Sequence, residues 1–210
     1  MIPSEHVISE CCIEYRFGEC IDLQTSDDVL RAYRYLKQNL DLSHCGIRDM
    51  LPTYSSLAVH FTPESPLLRD TSSLRSAIED AGRSEDSVQG REFTIDVAYN
   101  GEDLAYVSQM CGLSVQEIID LHSGRPYRVA MLGFRPYFPY LLGLDERLDL
   151  PRRESPRTRV RKGSVVIAAG QTGIYSEASP GGWHIIGHTE FDGYDRLRPA
   201  DTITFRSIPC

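Results

Sequence analysis

The stretch Gly133–Thr189, GFRPYFPYLLGLDERLDLPRRESPRTRVRKGSVVIAAGQTGIYSEASPGGWHIIGHT, decides the reading of the chain. It holds about a dozen Gly and Pro, far more than uninterrupted strands or helices tolerate. Gly supplies backbone angles closed to other residues, and Pro fixes φ while removing a donor. The segment therefore reads as short strands joined by dictated turns. Among those turns stand Arg152, Arg153, Arg157, Gln171, Thr172, Tyr175 and Trp183, groups suited to holding a polar or anionic ligand. Loops of this kind on a strand scaffold usually build a site.

From Tyr127 onward the pattern is short strands between turns. Short strands are expected at 127–132, 164–169, 172–176, 183–187 and 202–206, preceded by an alternating strand at 92–99 (EFTIDVAY), which together read as a β-barrel or sandwich. A helix over about 102–111 ends at Gly112, and Ser114-Val115-Gln116-Glu117 is a capping box opening a second helix that runs to His122. Two helices around a tight glycine turn resemble a DNA-reading motif, but the second carries Glu117 and Asp120 and no exposed basic residue, which argues against it.

Residues 7–16 read as one strand, with Cys11 and Cys12 on opposite faces. Thr25 or Ser26 is the expected cap of a helix whose apolar stripe is Val29, Ala32, Tyr33, Leu36 and Leu40. Strands at 46–54 and 55–62 and a helix at about 71–81 complete a βαββα order, a small α+β unit. The polar segment 82–91 (GRSEDSVQGR) has linker composition. The expected division is a small α+β domain over 1–84 and a mainly-β barrel domain over 85–210 that carries the site.

At 210 residues, 41% apolar and 25% charged, the chain has the make-up of a globular protein, with no apolar run long enough to span a bilayer. No signal peptide is apparent at the amino terminus, and the expected location is the cytoplasm. A net charge of −8 argues against nucleic acid as a partner. Six cysteines, at 11, 12, 20, 45, 111 and 210, show no metal-ligand spacing, so reduced, mostly buried thiols are expected, and no metal site. Walker A, Rossmann and Ser-His-Asp signatures are missing.

Several ordered blocks resemble one family. They are Gly133-Phe134-x-Pro136-x-Phe138-Pro139-Tyr140-Leu141, Gly143-Leu144-Asp145, Pro151-Arg152-Arg153, Pro156-Arg157-Thr158-Arg159-Val160, Gly170-Gln171-Thr172-Gly173-Ile174-Tyr175, Ser179-Pro180-Gly181-Gly182-Trp183 and Ile186-Gly187. Together they resemble the KipI/PxpB family, also called allophanate hydrolase subunit 1 or the 5-oxoprolinase B subunit. Leu113-Ser114-Val115-x-Glu117 and Leu121-His122-Ser123 fall where that family has them. The resemblance implies a small α+β domain followed by a cyclophilin-like barrel. It implies a subunit that works with a KipA/PxpC-type and a PxpA (LamB/YcsF)-type subunit to hydrolyse 5-oxoproline to glutamate with ATP, at a site shared between chains. Two other readings stay open: a regulatory protein inhibiting a histidine kinase, and a carboxyltransferase-type component of a urea-carboxylase-like system. The chain departs from the family pattern at Tyr137, Ser176, Arg161-Lys162, His184 and His188.

Arg152, Arg153 and Arg157 offer fork-shaped cationic contacts to phosphate or carboxylate, against the plainer reading of solvated or partner-facing loop residues. Gln171, Thr172 and Gly173 could present backbone N–H groups to an anion, although hairpins need glycine too. His122 is either a general acid/base or a satisfied core histidine. Trp183 is a core aromatic or a ligand platform. Phe134, Phe138 and Tyr140 read as pocket wall, with Pro136, Tyr175, Gly181, Gly182 and His188 as further binding candidates, and Asp145 as a partner for an arginine. His122, Arg157 and Gln171 are the expected catalytic set.

Overall fold

The run Ser164–Ala168, SVVIA, is buried at all five positions, whereas a strand with one wet face alternates. Successive side chains point to opposite faces. Val165 and Ile167 enter one core with Ile95, Val97, Tyr127, Val129 and Phe205. Val166 and Ala168 enter another, built from Phe138, Val160, Tyr175, Trp183 and Ile185. This strand is the wall between a barrel interior and an aromatic layer outside it.

A computed structural model of the chain describes residues 3–83 and 88–209. Contacts divide the chain into two units, Met1–Gln89 and Gly90–Cys210. The boundary expected at 84/85 falls in residues 84–87, outside the described residues, as does Cys210.

In the first unit β1 (Ser4–Ser9), β2 (Cys12–Arg16), β3 (Ile47–Pro52) and β4 (Ser56–Phe61) form an antiparallel sheet in the order β1-β2-β4-β3. Helices α1 (Leu23–Asn39) and α2 (Ser72–Arg83) share its core, with Val29, Ala32, Leu36, Leu74 and Ile78 beside Ile13, Tyr15, Leu57 and Val59. The single strand expected over 7–16 is instead a hairpin: Ser9 pairs with Cys12, and Cys11 lies in the turn rather than on a strand face. The cap of α1 is Asp22, whose carboxylate accepts from Thr25 N–H at 2.8 Å. An acidic cap satisfies an orphan N–H as well as Thr or Ser does, so the helix begins earlier than expected.

In the second unit β5 (Glu92–Ala98), β6 (Pro126–Leu132), β7 (Pro139–Leu142), β9 (Ser164–Ala168), β10 (Gln171–Ile174), β12 (His184–His188) and β13 (Thr202–Ile208) close a seven-stranded barrel in the order β10-β7-β6-β13-β5-β12-β9. β5 and β13 run parallel and lie 110 residues apart in the chain, joined also by the Arg206–Asp96 ion pair. Two short strands, β8 (Arg157–Val160) and β11 (Ser179–Gly181), form a separate ribbon. They and β7 are hidden in the sequence by their length and prolines. Helices α3 (Leu104–Cys111) and α4 (Val115–Ser123) precede the barrel's second strand, and the Ser114–Glu117 capping box is formed in both directions. Among the described residues, no helix is long and apolar enough to cross a membrane.

Gly163 opens β9 with φ +82°, and a Cβ there would sit 2.2 Å from the Thr189 carbonyl oxygen. Gly170 also has a positive φ, +71°, but its Cβ would meet nothing within 4 Å. Gly170→Ala is therefore expected to cost about 1 kcal/mol, the left-handed penalty alone. Gly163→Ala adds a backbone clash and is expected to cost at least about 2 kcal/mol, a contrast that paired urea titrations resolve.

Candidate functional site

The aromatic layer outside β9 lines a cleft of about 370 Å³. Phe138 and Trp183 meet edge-to-face with centroids 5.9 Å apart, Tyr140 and Trp183 at 5.7 Å, and Phe138 and Tyr175 at 5.2 Å. Such pairs favour fixed ring positions beyond their burial, so the wall is pre-set. Burial raises the Tyr140 and Tyr175 hydroxyls from their ordinary range, which keeps both as O–H groups at neutral pH. At Gly181 a Cβ would lie 1.7 Å from Tyr175 Oη; only glycine lets that hydroxyl reach the β11 backbone. The Arg152 guanidinium stands 5.9 Å over the Trp183 ring, a cation–π arrangement that leaves its donors available.

The rim comes from the loop between β6 and β7. Phe134 and Tyr137 both take left-handed backbone, each with φ 62°, and expose their rings. The Phe134 ring meets Phe138 edge-on at 5.9 Å. Ser176 Oγ donates to the Pro136 carbonyl at 2.6 Å and holds the loop in place.

A residue that sequence reasoning missed fixes the arginines. Asp103, the residue before α3, makes no capping bond through its side chain. Its Oδ1 accepts from Arg153 Nη1 at 2.8 Å and Arg157 Nη2 at 2.7 Å, and its Oδ2 accepts from the Ile185 N–H at 2.8 Å. Burial alone would raise this carboxyl. The hydrogen bonds from Arg157 and Ile185, with the charges of Arg157 and Arg153, outweigh burial and hold it below the usual carboxylate range. The acid lies about fifty residues before its partners, and locally it reads as one more helix cap. Asp145, expected to partner an arginine, accepts from Arg125 at 2.6 Å and from Arg147 at 2.8 Å.

The structure thus brings Phe134, Tyr140, Arg152, Arg153, Tyr175, Gly181, Gly182 and Trp183 to one cleft. Trp183 is both core, 6% exposed, and wall. Pro136 and Arg157 stand next to it, through Ser176 and Asp103 respectively. His188 is elsewhere, in a second cleft of about 500 Å³ with Arg161 and Glu190, and its ring nitrogen lies 3.0 Å from Asn100.

Two expectations are corrected. Gln171, Thr172 and Gly173 lie within β10, where their backbone pairs with β9 on one side and, at Thr172 and Gly173, with β7 on the other; they form no anion-binding nest. His122, expected as a catalytic acid/base, has no exposed surface. The Val166 carbonyl can only accept, so the Thr172 hydroxyl donates to it at 2.8 Å. Thr172 then accepts from His122 Nε2–H at 2.9 Å, and Nδ1 accepts from the Tyr99 hydroxyl at 2.7 Å. Burial lowers its pKa to about 3, so it is a neutral structural histidine.

Asp103's folded pKa lies below the unfolded value, so its contribution is full above about pH 4 and is lost as pH falls through the depressed value. Asp103→Asn should lower stability at pH 7 by about 2 kcal/mol, less than a fully buried pair would because its arginines are about a quarter exposed. The deficit should shrink at pH 3 in urea titrations. His122 also has a depressed folded pKa, and its contribution is lost as pH falls from about 6.5 toward 3, at up to about 1.4 kcal/mol per pH unit. In His122→Leu, stability between pH 7 and 5 should be flatter by that slope.

Residues 4–204 match the family described as carboxyltransferase domain, subdomain C and D. The chain is 46% identical over 127 residues to the 5-oxoprolinase B subunit of Escherichia coli O157:H7, a match covering 56% of this chain and 58% of that protein. It is 35% identical over 195 residues to the 5-oxoprolinase B subunit of Bacillus subtilis (strain 168), covering 87% of this chain and 80% of that one. Among solved structures, TTHA0988 superposes with a TM-score of 0.80 at 32% identity, covering 95% of this chain and 40% of the other. The matched regions therefore span little more than half of the E. coli protein and less than half of TTHA0988. The chain belongs to the family of carboxyltransferase subdomains C and D that contains the PxpB/KipI proteins.

Proposed function

We propose that the chain is the B-type subunit of a cytoplasmic, ATP-dependent 5-oxoprolinase, which converts 5-oxoproline, ATP and water to glutamate, ADP and phosphate. Its partners in this reading are a KipA/PxpC-type and a PxpA-type subunit. The barrel is the cyclophilin-like part of a two-domain arrangement divided near residue 84.

The observation that carries the reading is the cleft of edge-to-face rings with Arg152 over Trp183, in a chain whose relatives bear that subunit name. A lactam acid is a small flat ring with a carboxylate on its edge. Phe138, Tyr140 and Trp183 suit the ring, and Arg152 suits the carboxylate in fork geometry. The Tyr175 hydroxyl is a donor for a lactam oxygen gaining charge. These residues do not fit a triphosphate by themselves. Of the arginines at the cleft, Arg153 and Arg157 are ion-paired with Asp103 and Arg135 stands 3.6 Å from Glu177, which leaves Arg152 as the one guanidinium with no carboxylate partner for several negative charges. The nucleotide is accordingly a substrate of a site that another subunit completes, and no step through it belongs to this chain's residues. The family's description favours, as a second reading, a carboxyltransferase-type component.

The test is 5-oxoproline-dependent release of ADP and glutamate by the co-purified subunits, with each omitted in turn. Activity should vanish without this chain, and Trp183→Leu should raise KM for 5-oxoproline about tenfold with a smaller change in kcat. An unchanged rate on omission would overturn the reading as a subunit, and turnover only with a biotinylated acceptor and a urea-like substrate would install the second.

A further inference from the structure

The arginine segment has a second side. Opposite the aromatic cleft lies another of about 480 Å³, with Tyr106, Met110, Pro151, Arg152, Arg153 and His184 in its wall. His184 is 3% exposed, and its ring stacks on Tyr106 with centroids 5.4 Å apart and planes 21° apart. Its Nε2 lies 2.9 Å from the Pro151 carbonyl oxygen. A carbonyl only accepts, so Nε2 carries the proton and Nδ1 of the neutral ring is a bare lone pair. That Nδ1 is buried and has no hydrogen-bond partner. A buried polar atom left in this state calls for an explanation.

Donors stand in the same wall. Arg153 is held to Asp103 through Nη1, but its buried Nε–H has no acceptor. Arg152 forms no ion pair among the described residues, its guanidinium resting on Trp183. The cleft wall therefore combines cationic N–H donors with one acceptor, and because Nδ1 and Nε are closed to solvent, a ligand meets them only as the side chains over them give way. A fully deprotonated oxyanion would satisfy the arginines and set its lone pairs against Nδ1. An uncharged hydroxyl would satisfy Nδ1 and leave the arginines unmet. An oxyanion that keeps one proton satisfies both.

We propose that this cleft is a binding site for a small oxyanion that retains one O–H at neutral pH, of the hydrogenphosphate type. The proton donates to His184 Nδ1, and the remaining oxygens accept from Arg153 Nε and the Arg152 guanidinium. Arg152 borders both clefts, so an anion bound here shares a cation with whatever occupies the aromatic side. The site stands on its own geometry and goes beyond the oxoprolinase reading.

The experiment titrates the full chain at pH 8 with inorganic phosphate, sulfate and hydrogencarbonate. Heat is followed by calorimetry, and the His184 ring nitrogens by long-range proton–nitrogen NMR. At this pH phosphate carries a proton, sulfate carries none, and a phosphate monoester has lost its second one. Phosphate is expected to bind at least about tenfold more tightly than sulfate and to shift the Nδ1 resonance. His184→Phe, which keeps a ring against Tyr106, should remove the preference. Hydrogencarbonate also keeps its proton; binding tighter than phosphate would support the site and name carbonate as its source. Equal affinity for sulfate and phosphate in the unaltered chain overturns the proposal, whatever the fate of the variant. So does an unmoved His184 resonance up to about 50 mM phosphate. No turnover and no other subunit enters these readouts, so they stand or fall apart from the oxoprolinase assay.

Discussion

The Asp103 carboxylate is the tie on which the arginine-rich side of the barrel depends. It accepts from Arg153 and Arg157 on one oxygen and from the Ile185 backbone on the other. A loop rich in proline and arginine has little apolar surface of its own to bury, and like charges drive its parts asunder. One buried anion reverses that balance, drawing two guanidinium groups onto the start of α3 and fixing both to β12. The division of labour among the arginines follows. Arg157 and the Nη1 end of Arg153 are structural counter-ions, and Arg152 keeps its donors for ligands because an indole face rather than a carboxylate supports it.

The barrel beneath is organised by strands buried on both faces. β9 supplies Val165 and Ile167 to the interior and Val166 and Ala168 to the outer aromatic layer. The site is thus built on the outside of the barrel wall, and its floor and the barrel core share a backbone. Interior positions such as His122 lie only one strand's thickness away, yet serve packing and hydrogen-bond closure.

Much of this is legible in the sequence. The strands at 92–98, 126–132, 164–168 and 184–188 announce themselves through alternation or apolar runs between turn residues. The capping box at Ser114 and Glu117 is a local pattern with a local cause. Phe134, Tyr140, Arg152, Tyr175 and Trp183 are ligand-holding types by their chemistry, and the fold gathers them. What escapes is either too short or too distant. The β8–β11 ribbon offers only a few residues and a proline, below the length at which periodicity means anything. Asp103 acts across fifty residues, and no spacing rule reports such a pair. The direction of His122 depends on helical phase relative to a closed barrel, so its type promises chemistry and its place denies it. The Glu10–Cys11 turn breaks an apparent strand because two cysteines and a glutamate carry no turn signature.

The parallel pairing of β5 with β13 bears on how the molecule is made. Residues near 95 find their neighbours only near 205, and until then β5 has an open edge and the barrel a missing stave. During synthesis, at about 5–20 residues per second, the first strand of the barrel waits roughly 5 to 20 seconds for the last. Pairings this far apart in sequence also carry a large loop entropy before any contact rewards it. The barrel closes only once β13 has emerged, in a slow, late step, and the interval before it leaves an apolar edge strand open to other chains.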